Sequence, residues 1–144
     1  MTEPLPPLLI VDDSVDDQVF LSHLIQRAGL SQPILTFSDG AGVIDYLTPL
    51  LADSTDIPLL MFLDLRMPVM SGTDVIRWIR QHPCFSLMEI ALLSGSLRYA
   101  DMRLAAELGA NHYFEKFPST DVIQLWVSAA VRNRAEARER RRAH

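Results

Sequence analysis

Residues 7–30, PLLIVDDSVDDQVFLSHLIQRAGL, hold a complete strand and helix signal in one short stretch. The apolar run from Leu8 to Val11 is uninterrupted, which is typical of a strand buried on both faces of a sheet. The residues that follow place apolar side chains close to helical spacing and end at Gly29, the residue type that most often closes a helix. The stretch therefore predicts one buried strand followed by one amphipathic helix.

The same alternation recurs four more times along the chain. The further strand segments are PILTF, PLLMFLDL, MEIALLSG and NHYFEKF, and a helical pattern follows each of them. Strands that alternate with helices in this way predict a parallel sheet covered by helices on both faces, a doubly wound α/β sandwich. The segments TPLLADSTDIP and PCFSLM are predicted to be surface connections.

Composition and charge favour a single domain with an acidic body. With 144 residues, 49% of them hydrophobic and 22% charged, the chain has room for one buried core. From Arg132 onward six arginines face two glutamates, a net charge of +4, so residues 1–131 carry −9. This charge disfavours nucleic acid as the main partner, and the apolar runs are too short to cross a bilayer. We expect a soluble cytoplasmic protein whose domain occupies residues 1–131, with residues 132–144 as a basic extension of the last helix.

Polar side chains close four of the five predicted strands. Asp12 and Asp13 follow the first strand, Asp64 closes the third, Ser94 the fourth and Lys116 the fifth. Because the carboxyl ends of parallel strands lie along one edge of the sheet, these five side chains are expected to converge at one site. Core packing gives no reason for this arrangement.

The chemistry of this set favours phosphoryl transfer assisted by a divalent cation. Three carboxylates held close together repel one another unless a cation lies among them. Mg²⁺ takes oxygen ligands and typically uses one or two carboxylates together with phosphate oxygens, whereas DDSVDD lacks the glycine and glutamate of an EF-hand calcium loop. A carboxylate, a hydroxyl and an ammonium beside Mg²⁺ suit phosphoryl transfer to an aspartate, with Asp64 as the best candidate nucleophile.

Four segments of the chain resemble the signature regions of one family. VDD after the first strand, FLDLRMPVMSG around the third, LLSGS at the fourth and YFEK at the fifth match the receiver domain of two-component response regulators at the expected spacing. The resemblance covers the chain from Leu8 to about Val131. It implies a flavodoxin-like fold of five βα units with the strand order 2-1-3-4-5.

The resemblance also implies a role for each residue of the site. Asp64 would accept a phosphoryl group from a histidine of a sensor histidine kinase or a phosphotransfer protein. Asp13, Asp64 and the backbone carbonyl of Arg66 would bind Mg²⁺ directly, and Asp12 would act through a coordinated water. Lys116 would pair with the phosphoryl oxygens.

A second group of residues would form the switch. Ser94 would move toward the phosphoryl group, Tyr113 would turn inward into the space left, and Arg66 and Ser96 would tune the lifetime of the phosphorylated state. The output would be a repacked surface of the fourth helix, the fifth strand and the fifth helix, which could also form a homodimer. The fourth helix offers apolar side chains that suit either such a dimer or a core-facing stripe: Leu97, Tyr99, Met102 and 104–106.

One position departs from the family pattern. Most receivers have a proline directly after the lysine, joined through a cis peptide bond, but Phe117 stands there in this chain. The Lys116–Phe117 bond is therefore expected to be trans, or cis under strain. Some receivers that stand alone and work with phytochrome-type or other sensor kinases also lack this proline and share the DDSxxD start, which suggests a similar partner. No DNA-binding domain is expected, so the signal would pass by protein contact.

The remaining charges have simpler explanations. Asp16 and Asp17 fall in the first turn of the first helix, where a carboxylate favours the positive end of the helix dipole by ~0.3–1 kcal/mol, and neither is given a catalytic role. The arginine-rich tail is predicted to be a solvated, partly frayed helix end. The alternative for the tail is a contact with an acidic partner or a membrane surface.

Two other functions fit parts of the pattern. A haloacid-dehalogenase-like phosphatase also uses an aspartyl phosphate and Mg²⁺, but it needs Asp-x-Asp where this chain has Asp64, Leu65 and Arg66, with no second carboxylate to protonate a leaving group. A degenerate receiver, which never takes phosphate and works as an interaction module, is supported only by Phe117. A phospho-accepting switch, rather than an enzyme with a substrate, is the leading interpretation.

Overall fold

The computed structural model describes residues 4–96 and 98–143. The strands are β1 (Leu8–Val11), β2 (Ile34–Phe37), β3 (Leu60–Asp64), β4 (Glu89–Ser94) and β5 (His112–Glu115). The α-helices are α1 (Val15–Arg27), α2 (Gly40–Leu47), α3 (Gly72–Arg80), α4 (Tyr99–Leu108) and α5 (Thr120–Arg142). All strand pairs are parallel, in the order β2-β1-β3-β4-β5, which confirms the predicted fold and strand order.

The apolar strands are buried because helices cover both faces of the sheet. Alternate residues of β1 and β3 point to opposite faces, as the two-residue repeat of a strand requires. On one face Leu9 and Met61 pack beneath α2, α3 and α4. On the other face Ile10 and Phe62 pack beneath α1 and α5. This two-sided burial explains why the strands appear as continuous apolar runs in the sequence.

The register of the sheet determines which side chains meet at its carboxyl edge. Val11 pairs with Leu63, so Asp12 and Asp64 follow side by side on adjacent strands. Ser94 ends β4 one position beyond the residue that pairs with Asp64. The polar residues therefore begin at the same level of neighbouring strands.

Two predicted surface connections carry structure of their own. The first contains short 3₁₀-helices at Thr48–Leu51 and Ser54–Asp56. The second contains a 3₁₀-helix at Pro83–Phe85, and both Phe85 and Met88 are fully buried. The prediction that this second segment lies on the surface is wrong, because its turn places two large apolar side chains in the core beside α3.

The basic tail continues α5 without a break to Arg142. Ala137 is buried, and the Arg134 guanidinium donates hydrogen bonds of 2.7 Å to the carbonyl oxygens of Ile57 and Pro58. The prediction of a partly frayed helix end is therefore wrong for these turns, although the other arginine side chains of the tail are exposed.

Two further points concern helices. Leu97, which the sequence placed in the apolar set of the fourth helix, lies outside the described residues, and α4 begins at Tyr99. Within residues 4–96 and 98–143, each helix falls short of the length or the apolar character required to cross a bilayer.

Candidate functional site

Three carboxylates meet at the carboxyl edge of the sheet, where the sequence predicted them. Asp12 and Asp13 follow β1, and Asp64 ends β3. One carboxylate oxygen of each lies within 4.8 Å of those of the other two. Asp12 and Asp64 are buried, whereas Asp13 is exposed, so the cluster has a closed side and an open side.

The turn between β1 and α1 holds Asp12 in place. The backbone N–H of Ser14 donates a 2.9 Å hydrogen bond to Asp12 Oδ1, and the Ser14 hydroxyl caps α1 by accepting from the N–H of Asp17. Gln18, a buried residue that the sequence did not single out, donates a 2.6 Å hydrogen bond to the Asp12 carbonyl. The orientation of Asp12 is therefore determined by the chain around it.

Lys116 brings its ammonium into this acidic cluster. Its Nζ lies 2.8 Å from Asp12 Oδ2 and 3.1 Å from Asp64 Oδ1. A third contact, of 2.9 Å, joins Nζ to Oδ2 of Asp17. Assigning Asp17 to the helix dipole alone is therefore incomplete, because its side chain belongs to the site. No spacing in the sequence singles out Asp17, because its carboxylate reaches the site only through the way α1 packs against the sheet.

The environment shifts the pKa values of two of these groups in ways that matter for chemistry. Burial, and then the charge of Asp12, raise the pKa of Asp64 to about 6, against the opposing effect of Lys116. Burial disfavours the charge of Lys116, but hydrogen bonds with Asp12 and Asp17 and the charge of Asp64 outweigh it and raise the pKa of Lys116. Lys116 is therefore cationic. The ionised form of Asp64 is disfavoured by burial and by the charge of Asp12, and a bound cation would stabilise it.

The segment after β3 is packed tightly over the site. A Cβ added at Gly72 would lie 2.5 Å from the Asp64 carbonyl oxygen, so only glycine lets α3 begin this close to the strand end. Ser71 and Asp74 cap the helix start with a reciprocal pair of hydrogen bonds. The Arg66 side chain forms an exposed ion pair of 3.0 Å with Asp101 on α4. The loop thus joins the site to two helices.

The predicted switch residues lie together beside the cluster. Ser94 is buried, and its hydroxyl oxygen accepts a 3.2 Å hydrogen bond from the backbone N–H of Ser96. The Tyr113 hydroxyl donates a 3.4 Å hydrogen bond to the Ser96 carbonyl, and its ring is half-buried. Ser94, Ser96 and Tyr113 are therefore connected through the backbone of one short segment after β4.

The peptide bond between Lys116 and Phe117 is cis, one of the two forms that the sequence left open. The Phe117 ring packs in the apolar layer on the α1 and α5 side of the sheet. Its centroid lies 4.8 Å from that of Phe20 on α1. Phe117 thus has a packing role directly beside the lysine.

The donor set fits a hard divalent cation. Asp12, Asp13 and Asp64 offer only oxygen ligands, close enough together for one ion to contact them, and Asp13 is open to solvent. Mg²⁺ binds to one or two carboxylates and keeps several waters, which suits a site with an open side. The neighbouring ammonium and hydroxyl complete a set of groups suited to a phosphoryl group.

The family of the chain follows from comparison with known sequences. The profile of the response regulator receiver domain matches residues 8–127. The chain belongs to this family. Receiver domains generally bind Mg²⁺ at an acidic pocket and act as signalling switches rather than as enzymes, and this receiver has such an acidic cluster. The match gives no support to the haloacid-dehalogenase-like alternative.

This receiver is similar to part of a longer regulatory protein and to a solved receiver domain. It is 31% identical over 125 residues to the transcriptional regulatory protein GltR of Pseudomonas aeruginosa, covering 87% of this chain and 48% of GltR. The chain thus spans about half the length of that relative. A solved receiver domain from Clostridium thermocellum shares the fold, with a TM-score of 0.77 and 21% identity over 92% of this chain and 99% of the other.

A second solved structure is similar in sequence as well. The bacteriophytochrome response regulator RtBRR is 27% identical to this receiver, with a TM-score of 0.71. The match covers 88% of this chain and 76% of RtBRR. This similarity agrees with the assignment of the chain to the response regulator receiver family.

Proposed function

We propose that this receiver acts in the cytoplasm, accepts a phosphoryl group on Asp64 and signals by contact with other proteins. The donor would be a phosphohistidine of a sensor histidine kinase or of a phosphotransfer protein. The observation that carries the proposal is the placement of the Lys116 ammonium 3.1 Å from Asp64, beside two further carboxylates. This arrangement neutralises charge where a phosphoryl group would be received.

Asp12, Asp13 and Asp64, with the backbone carbonyl of Arg66, would hold Mg²⁺. Bound there, the ion would supply positive charge to offset the carboxylates and the incoming phosphoryl oxygens. The raised pKa of Asp64 supports this assignment, because its main causes, burial and the charge of Asp12, are those that a cation would counter. These ligands suit Mg²⁺ because all of them are oxygen atoms.

The transfer itself would be a displacement at phosphorus. A carboxylate oxygen of Asp64 forms the new bond, and the bond between phosphorus and the donor imidazole nitrogen breaks, leaving its electron pair on that nitrogen. Lys116 would donate hydrogen bonds to a phosphoryl oxygen while it still contacts Asp12. Because these groups are held in place by strand ends, positioning rather than proton transfer would account for most of the catalysis.

The switch would operate through the segment after β4. A Ser94 hydroxyl that turns toward the phosphoryl group gives up its hydrogen bond with the Ser96 N–H. Tyr113, whose hydroxyl contacts the Ser96 carbonyl, would follow that segment inward. Arg66 and Ser96 would tune the lifetime of the phosphorylated state. Arg66 would do so by giving up its ion pair with Asp101 for another contact.

The output surface would be formed by α4, β5 and α5. Tyr99, Met102 and Phe114 are exposed apolar side chains on these elements. A change at Tyr113 on β5 would alter their arrangement, which a downstream protein or a second copy of this receiver would read. The similarity to RtBRR supports a phytochrome-like kinase as the partner.

The test is an intact mass measurement after incubation with acetyl phosphate, with and without Mg²⁺. A gain of one phosphoryl group that needs Mg²⁺ and is lost in Asp64→Asn supports the proposal. The matched control is Asp16→Asn, which removes an exposed carboxylate of α1 and should leave the gain intact. Absence of any gain, from acetyl phosphate and from a phosphohistidine donor, would favour the degenerate interaction module.

A further inference from the structure

A second charged site lies at the opposite edge of the sheet from the acidic cluster. The connections that precede β3 and β4 and the last turns of α5 line a partly open cavity of about 280 Å³. Its polar lining consists of three arginines and three hydroxyl residues: Arg134, Arg138, Arg141, Ser54, Thr55 and Ser86. We call this the arginine cavity.

Arg134 makes the walls of the arginine cavity rigid. Its guanidinium donates 2.7 Å hydrogen bonds to the carbonyls of Ile57 and Pro58 before β3, and one of 3.4 Å to the carbonyl of Leu87 before β4. One side chain thus ties both connections to α5. The cavity is therefore preformed in the fold. The Arg134 guanidinium already donates its hydrogen bonds to backbone carbonyls.

Arg138 and Arg141 line the same cavity, and their guanidinium groups can bind an anion. Both are exposed, and the ion pairs within residues 4–96 and 98–143 involve neither of them. Arg66, Arg77 and Arg103, by contrast, each contact a carboxylate. Burial, and then the like charge of Arg138, lower the pKa of Arg134 against the opposing charge of Glu89. An anion between the two arginines would relieve the repulsion of their like charges.

We propose that the arginine cavity binds the diphosphate group of a small molecule. Guanidinium groups bind phosphate through paired hydrogen bonds, and side chains three residues apart on a helix are neighbours, so Arg138 and Arg141 can each contact one of two linked phosphates. A ligand with a single carboxylate would leave one of these two arginines without an anionic partner. The hydroxyls of Ser54, Thr55 and Ser86 can donate to the remaining phosphate oxygens.

The shape of the arginine cavity selects a compact ligand. Its volume of about 280 Å³ lies just below the ~300–1,000 Å³ typical of small-molecule sites. Ile57 and Leu87 provide only a small apolar wall. A recessed site of this size suits a diphosphate group better than a membrane surface or a nucleic acid, which would require a broad exposed face.

The test uses the full chain in the presence of EDTA, so that the acidic cluster stays free of Mg²⁺ and repels anions. The probes are inorganic pyrophosphate, ADP and orthophosphate at about 150 mM salt, titrated by calorimetry. A second readout is the alkylation rate of Cys84, the only cysteine, which lines the cavity. We compare Arg138→Gln/Arg141→Gln with Arg103→Gln/Arg132→Gln, which removes equal charge outside the cavity.

We expect saturable binding of pyrophosphate or ADP, tighter than that of orthophosphate, with slower alkylation of Cys84. Loss of two charge-assisted contacts should weaken binding at least about tenfold in the cavity variant and leave it unchanged in the control. Tighter binding of ADP than of pyrophosphate would identify a nucleotide as the source of the diphosphate. Equal loss of binding in both variants, or titrations that do not saturate, would overturn the proposal.

Discussion

Oδ2 of Asp17 on α1 lies 2.9 Å from Nζ of Lys116, at the end of β5. The two residues are 99 positions apart in the chain, and this contact connects the helix that follows the first strand to the residue that follows the fifth. Lys116 is thereby held by three carboxylates, those of Asp12, Asp17 and Asp64. Asp17 differs from the others because it does not belong to the carboxylate cluster suited to a metal.

Asp17→Ala is expected to slow phosphorylation of Asp64. The substitution removes one of the contacts that position the Lys116 ammonium, and small misplacements of such groups reduce rates, here by roughly three- to tenfold. The measurement is the initial rate of phosphoryl gain from acetyl phosphate with saturating Mg²⁺. Asp17→Asn keeps a hydrogen-bond acceptor and should lose less, and Asp16→Ala should match the wild type. Equal rates in all variants would show that Asp17 has no positioning role.

Lys116→Met is expected to destabilise the protein in the absence of Mg²⁺. The ammonium side chain is only 13% exposed and offsets the repulsion among buried carboxylates. Its removal should lower the free energy of unfolding by about 3–5 kcal/mol, as breaking a buried ion pair does. Urea unfolding with and without Mg²⁺ measures this. Mg²⁺ should restore more stability to the variant than to the wild type, and an equal gain in both would contradict the charge balance described here.

Gly72→Ala is expected to destabilise the fold, although alanine usually stabilises a helix. The new Cβ would lie 2.5 Å from the Asp64 carbonyl oxygen, a backbone atom that cannot move without displacing β3. We expect a loss of about 1–3 kcal/mol in urea unfolding, typical of overpacking. Gly95→Ala is the matched control, because a Cβ there meets nothing within 4 Å. A gain in stability at position 72 would show that α3 can shift freely.

Glu89 is expected to make stability depend on pH on the acid side. Its carboxylate faces His112, with 3.4 Å between Oε1 and Nε2, and accepts a hydrogen bond from Asn133. The His112 contact is the main cause that lowers the pKa of Glu89 in the folded state below its ordinary value of 4.5, against the opposing effect of burial. A group whose pKa is lowered on folding stabilises the fold above its unfolded pKa, and this contribution is lost as pH falls through the folded pKa.

Glu89→Gln should therefore cost roughly 1–2 kcal/mol of unfolding free energy at pH 7. The difference from the wild type should shrink below about pH 4.5 and vanish as Glu89 becomes protonated. Urea unfolding at pH 7, 5, 4 and 3 follows this dependence, with the exposed Glu107→Gln as control. A difference that stays constant with pH would mean that packing, not charge, carries the effect.

Most of the site could be predicted because strands place residues at fixed levels. Once the strands are parallel, the residues that follow them must share an edge, and Asp12, Asp13, Asp64 and Lys116 meet as expected. The strand order itself came from the family resemblance. Sequence alone could not find Asp17, because the rotation of α1 about its axis depends on how its apolar face packs against the sheet.

The same reasoning explains the errors in the connections. Phe85 and Met88 are buried, but a single 3₁₀ turn is too short to show a periodic apolar pattern. In the sequence, Arg134 has no feature that separates it from the solvated arginines of the tail. Its role depends on backbone carbonyls of residues before β3 and β4, which are distant in sequence and carry no side-chain signal.

Lys116 is the only lysine of the chain, and its side chain is almost enclosed by the acidic cluster. Its amine is therefore a built-in chemical probe at the centre of the site. An acylating reagent would meet one protected side-chain amine, so peptide mapping of the modified residue would report its accessibility without any engineered label.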